Sequence, residues 1–248
     1  MKETIYTIPV TEAFETPCEC PLCILESRFE KECVDYFLGP SLMEPENRIE
    51  TNQSGFCGRH FTQMYNTQTN RLGLGLILHT YMTEQNKQMQ KISAAAGPIK
   101  KKSLFSSSSG EGGKAAERML KYLQERAKEC CICKKLDFTM DRYIEVIVHL
   151  YFSEKDFRSK FDGGMGFCLP HLQRLIEGSQ KYLPAGKQNA FLEALLKLQA
   201  ENLKRIEDEV EWFTKKFDYR NQDAPWGNSR DAVARGIKKM TGVRDLGQ

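Results

Sequence analysis

Cys20-Pro21-Leu22-Cys23 with Gly55-Phe56-Cys57-Gly58-Arg59-His60, and Cys130-Cys131-Ile132-Cys133 with Gly166-Phe167-Cys168-Leu169-Pro170-His171, are two copies of one pattern. Each reads C-x2-C, a spacer, then G-F-C-x2-H, and matching positions stand about 110 residues apart. One copy supplies three thiols and one imidazole, the donor set of a four-coordinate metal site. Two donors three positions apart reach one ion from a single helical turn. Helix starts also favour thiolate, because unpaired backbone N–H groups and the dipole present positive charge there. The repeat therefore predicts one Cys3His site per copy: Cys20, Cys23, Cys57 and His60 in the first, and Cys130, Cys133, Cys168 and His171 in the second. Aligning Glu19-Cys20 with Glu129-Cys130 selects Cys130 over Cys131 as the ligand. Zn2+ in two sites is the expected cofactor, with iron–sulfur clusters as the alternative. A redox disulfide at either C-x2-C lacks the surrounding βαβ pattern. Buried structural cysteines with a satisfied core histidine would explain one isolated pair but not eight residues in a doubled pattern.

Working outward, apolar residues recur at helical spacing after each C-x2-C. Helices are predicted from Leu22 to about Leu38, from near Gly58, over 71–92, over 114–128, over 133–152, after His171, and over 188–217. Tyr6 to Val10 reads as extended, because proline disfavours helix at the residue before it. Thr11 then reads as the cap of a short turn. Ser41–Gly55 and Ser153–Gly166 read as return loops. The Gly before each Phe-Cys lets the backbone turn toward the ion, and Phe56 and Phe167 are expected to pack beneath it. No alternating strand pattern stands out. The expected fold is all-α: two related helical units, each with its own metal site, plus a long C-terminal helix and tail. The units span 1–92 and 114–218, separated by a flexible linker at 93–113 rich in Ala, Ser, Gly and Lys, and followed by a strap and short helix at 219–248.

The composition is that of a globular protein: 40% hydrophobic and 28% charged, with net charge +3. Charge is uneven, since residues 1–70 hold five Lys/Arg and eleven Asp/Glu. No signal peptide or bilayer-spanning run is visible, so a cytoplasmic protein without membrane association is expected. Nine cysteines in a reducing compartment point to metal or redox chemistry before structural disulfides. Cys18 and Cys33 are read as packed thiols, with Cys18 a reserve beside the first site. His79 and His149 read as hydrogen-bonded, part-buried helix residues. Trp226 reads as an anchor for the tail.

Tyr6-Thr7-Ile8-Pro9 with Glu12-Ala13-Phe14-Glu15, the two cysteine motifs, Trp212-Phe213-x3-Phe217-Asp218-Tyr219-Arg220-Asn221 and Ala224-Pro225-Trp226-Gly227 together resemble a bacterial family of unknown function, found largely in Firmicutes. The resemblance implies a standalone cytoplasmic protein. Some members carry a transporter substrate-binding label, which fits poorly with nine cysteines.

The functional expectation is a non-enzymatic, metal-binding helical module that presents its surface to a protein partner. A catalytic zinc is disfavoured because four protein ligands leave no open position. An iron–sulfur or thiol-redox protein is one rival. A nucleic-acid-binding module is the other, using the linker lysines Lys100 to Lys102 and the tail residues Arg230, Arg235, Lys238, Lys239 and Arg244.

Overall fold

Each ligand-bearing segment opens a helix. A computed structural model describes residues 5–95, 111–243 and 246, and among them contains eleven α-helices, three short 3-10 helices and no strand. In chain order these are α1 (Thr7–Glu15), α2 (Pro21–Leu38), α3 (Pro45–Ser54), α4 (Gly58–Thr67), α5 (Arg71–Ala94) and α6 (Glu111–Arg126). They continue with α7 (Cys131–Ser153), α8 (Lys155–Asp162), α9 (Leu169–Tyr182), α10 (Ala185–Lys215) and α11 (Ala232–Thr241). The all-α fold and the helices expected from periodicity are present. Most of the expected linker at 93–113 lies outside the described residues.

Three segments depart from the sequence reading. Tyr6 to Val10 is not extended: α1 runs through Ile8 and Pro9. Pro9 sits in the first turn, where the missing N–H would have had no intrahelical partner. Thr11 is therefore inside the helix, and its hydroxyl donates back to the Thr7 carbonyl at 3.0 Å. The two return loops are largely helical. Pro45 opens α3 at its first position despite a polar sequence. In α8, Phe157 and Phe161 are buried at i and i+4, an apolar pair too short to stand out by periodicity.

The chain divides into two compact units: residues 1–29 with 138–248, and residues 30–137. The division falls inside α2, after Phe29, and inside α7, before Phe138. It differs from the expected units at 1–92 and 114–218. The first unit is built around α7. Met140, Ile144, Ile147 and Tyr151 pack with Val10 and Ala13 of α1, Phe157 and Phe161 of α8, Leu175 of α9, and Phe191 and Leu195 of α10. Burying each of the Val, Leu, Ile, Met and Phe side chains contributes about 1.5–3 kcal/mol. Phe14 joins this core against Phe157, Phe161 and Phe167. The second unit is smaller. Phe56 lies between Phe37 (5.0 Å between ring centroids) and Phe61 (5.4 Å), and Val34, Leu38, Met64, Leu74 and Ile77 are buried. Leu78 and Met82 of α5 are exposed, as is His79, which the sequence reading took as part-buried.

Candidate metal centres

The four half-motifs share one local design. The leading cysteine stands just before the helix, and the second donor lies in its first turn. Cys57 and Cys168 are the N-cap residues of α4 and α9, both in extended conformation. The carbonyl of each leading cysteine accepts a bond from the first turn: Cys20 from Cys23 N (3.1 Å), Cys57 from Phe61 N (3.0 Å), Cys130 from Lys134 N (3.1 Å) and Cys168 from Leu172 N (2.8 Å). Gly55 and Gly166 both take positive φ, +60° and +77°, which swings the chain into the Phe-Cys step. At Gly55 a Cβ would fall 2.5 Å from the Tyr81 ring. Phe56 and Phe167 are buried behind the sites, as expected.

The pairing is crossed. Cys20 and Cys23 meet Cys168 and His171, and Cys57 and His60 meet Cys130 and Cys133, with the ligand atoms of each group within 4.8 Å of one another. All eight expected residues are brought into clusters, but not as one cluster per sequence copy. The expected sets Cys20, Cys23, Cys57, His60 and Cys130, Cys133, Cys168, His171 are both overturned. The reason is the path of α2 and α7. Each opens with its C-x2-C in one unit and passes its C-terminal part into the other. The G-F-C-x2-H that follows α2 then lies in the unit where α7 begins, and the one that follows α7 lies where α2 begins.

In the cluster of Cys20, Cys23, Cys168 and His171, called outer because it spans the wider stretch of sequence, the sulfur separations are 3.9 Å for Cys20–Cys168 and 3.6 Å for Cys23–Cys168; the other cluster is called inner. His171 Nδ1 lies 3.4, 3.4 and 3.1 Å from Cys20, Cys23 and Cys168. In the inner cluster Cys57–Cys133 is 3.9 Å, and His60 Nδ1 lies 3.2, 3.2 and 3.5 Å from Cys57, Cys130 and Cys133. Tetrahedral bonds of about 2.3 Å to sulfur and 2.05 Å to nitrogen put S···S near 3.8 Å and S···N near 3.5 Å. Disulfides would need about 2.05 Å. A four-iron cubane binds each thiolate to a different iron and so spreads them farther apart than one ion does.

Each imidazole turns Nδ1 to the sulfurs and Nε2 to a glutamate of α2. His60 Nε2 lies 2.9 Å from Glu30, and His171 Nε2 lies 3.5 Å from Glu26. Such a carboxylate fixes the ring and raises its basicity as a ligand. Glu30 also accepts from Arg59 and from Gln63 (3.1 Å). Burial opposes charge on both histidines, but hydrogen bonds outweigh it. Cys130 and Glu30 raise His60 to about 10, and Cys168, Cys23 and Glu26 raise His171 to about 11. Burial works against the Cys130 thiolate too, yet hydrogen bonds from His60 and the Cys133 N–H bring it down to about 6. Cys168 falls further, through hydrogen bonds with Cys20 and Cys23 and the His171 charge, while burial drives Cys20 well above the thiol range. The free clusters therefore hold protons that a metal must displace.

A second layer escaped the sequence reading. Lys239 of α11 is 1% exposed; its amine donates to the Glu19 carbonyl (2.8 Å), the Glu19 carboxylate (3.2 Å) and the Met165 carbonyl. It thereby ties the loop before Cys20 to the loop before Gly166. Arg205 (2.7 Å) and Arg235 (3.2 Å) also bind Glu19. Gln199 pairs with the Phe167 backbone in both directions at 2.9 Å. In the inner site Lys134 takes the corresponding place, pairing with Glu129 and donating to Ser54 Oγ at 3.1 Å. A glutamate before the leading cysteine, Glu19 and Glu129, was the available sequence signal; nothing marked Lys239.

Cys131 stays outside the cluster. Its thiol faces the Glu50 carbonyl at 3.7 Å, its N–H donates to Gly55 O at 3.0 Å, and burial pushes it up to about 12. Cys33 is buried and Cys18 half-buried, both outside the two groups. His149 is half-buried on α7. Trp226 does anchor the strap, packing on Phe213 at 5.9 Å with the Lys216 amine over its ring.

A model of a family of unknown function (DUF6062) matches residues 1–246, and the chain belongs to that family. No curated protein and no solved structure matches it.

Proposed function

We propose that this family member is a cytoplasmic, non-enzymatic zinc protein in which two Cys3His ions fasten sequence-distant helix starts and hold the helical surface in shape for a protein partner. The observation that carries this reading is the convergence of three sulfurs and one imidazole nitrogen, twice, at separations that suit one tetrahedral ion. The short sulfur spacing favours a single ion over a cubane cluster. Four protein donors per site favour a closed structural role over catalysis. No helix among the described residues is long and apolar enough to cross a membrane. The basic tail gives little support to nucleic-acid binding, because Arg235 and Lys239 are turned inward onto Glu19.

Elemental analysis of protein purified without oxygen tests the proposal. Two zinc ions per chain are expected, and about one fewer in each of Cys57→Ser and Cys168→Ser. Near-stoichiometric iron and acid-labile sulfide would replace zinc with a cluster. Absence of any bound metal after reconstitution would end the reading.

A further inference from the structure

The two sites carry the same ligands and the same helix-start geometry, so each serves as a control for the other. They differ in how they are closed. In the outer site Cys20, Cys168 and His171 are buried and only Cys23 is half-buried. In the inner site both Cys57 and Cys133 are half-buried. These two sulfurs lie 3.9 Å apart, one from the N-cap of α4 and one from the first turn of α7, so neither is tied to the other by a shared turn. The lysine clamps differ in the same sense. Lys239 is 1% exposed and is backed by Arg205 and Arg235 on the same glutamate. The Lys134 side chain is 51% exposed and answers to Glu129 and Ser54.

Resting on the zinc reading, we propose that the inner site is an oxidation site: peroxide-class oxidants convert Cys57 and Cys133 to a disulfide and release that ion, while the outer ion stays. Thiolate reactivity follows solvent access and the charge held against the sulfur. The inner site presents two half-buried sulfurs where the outer presents one, so only there can solvent reach both partners of a disulfide. One of the two thiolates attacks the peroxide, the O–O bond breaks, and a sulfenic acid and a hydroxide form. The second thiolate attacks the sulfenic acid sulfur, the S–S bond forms, the S–O bond breaks, and the oxygen leaves as a second hydroxide. Two electrons pass from the two sulfurs to the peroxide, and solvent protons convert both hydroxides to water. The ion keeps only Cys130 and His60, too few to hold it.

The full chain, first shown to carry two zinc ions, is titrated with hydrogen peroxide while released zinc is followed with a chromogenic chelator. Remaining thiols are then alkylated and the peptides read by mass spectrometry. The expected result is a first phase releasing one ion per chain with a Cys57–Cys133 crosslink, and Cys20, Cys23 and Cys168 still alkylated. The outer ion should leave at least about tenfold more slowly. Release of both ions in one phase, or a first crosslink involving Cys23 and Cys168, overturns the proposal. Either result would leave the two-zinc reading standing, whereas a starting content below two ions would count against that reading itself.

Discussion

Crossed pairing makes a stoichiometric prediction that pairing within each motif copy does not share. Cys20→Ser combined with Cys168→Ser removes two ligands from one cluster, and Cys20→Ser combined with Cys57→Ser removes one from each. The first double variant should retain about one ion and the second about none. A structural zinc site contributes on the order of 10 kcal/mol of apparent binding energy, comparable to the whole stability of a typical domain. Losing one ion should therefore unfold much of the unit that contains it. Once the ion is gone, a second substitution in the same site should add little, whereas substitutions in different sites should add nearly in full. Loop closure adds a smaller difference. The outer ion joins Cys23 to Cys168 across 145 residues, and the inner joins His60 to Cys130 across 70. Doubling a closed loop is worth about 0.6 kcal/mol, so Cys168→Ser should be slightly more damaging than Cys57→Ser. Metal content by mass spectrometry and helicity by circular dichroism read both effects. If Cys20→Ser/Cys57→Ser keeps one ion and Cys20→Ser/Cys168→Ser keeps none, the pairing runs within copies and the geometry described above is refuted.

Glu30→Ala should weaken zinc at the inner site by about 10–100-fold and leave the outer site unchanged, as measured by competition with a chelator; equal losses at both sites would contradict the separate roles of Glu30 and Glu26. Zinc affinity should rise with pH, because the ion displaces protons from the ligand thiols and from His60 and His171, which their thiolate and glutamate partners raise to about 10 and about 11. Each displaced proton is worth about tenfold per pH unit, so affinities at pH 6.5 and 8.5 should differ strongly, and a flat profile would refute proton release by the ligands. Gly55→Ala should cost about 1–3 kcal/mol in urea unfolding, since φ is +60° and the new methyl would meet the Tyr81 ring, whereas Gly58→Ala, with open space at its Cβ, should be close to neutral.

The ligands were legible in the sequence because metal chemistry constrains residue type and local spacing together. C-x2-C and C-x2-H each fit one helical turn, so the half-sites follow from eight residues and two short gaps. The partner of each half-site was not legible. Spacers of equal length look the same whether a copy closes on itself or on its neighbour, and loop-closure entropy separates the two by only about 1 kcal/mol. Packing decides between them. Phe37, near the end of α2, is buried against Phe56, so the chain after α2 must stay in the unit that holds α4. Tyr151, near the end of α7, is buried against Phe161 and Phe191, which holds α8 and α10 in the unit that contains Cys20. Once those two helices carry their apolar ends away from their own C-x2-C, the donors left nearby come from the other copy. The outer shell was hidden for a related reason. Lys239 lies 220 positions from Glu19, and a buried lysine in a basic tail looks in sequence like a solvated one. The crossing follows from where aromatic side chains at the ends of α2 and α7 find their cores, and the ions then secure an arrangement that those cores select.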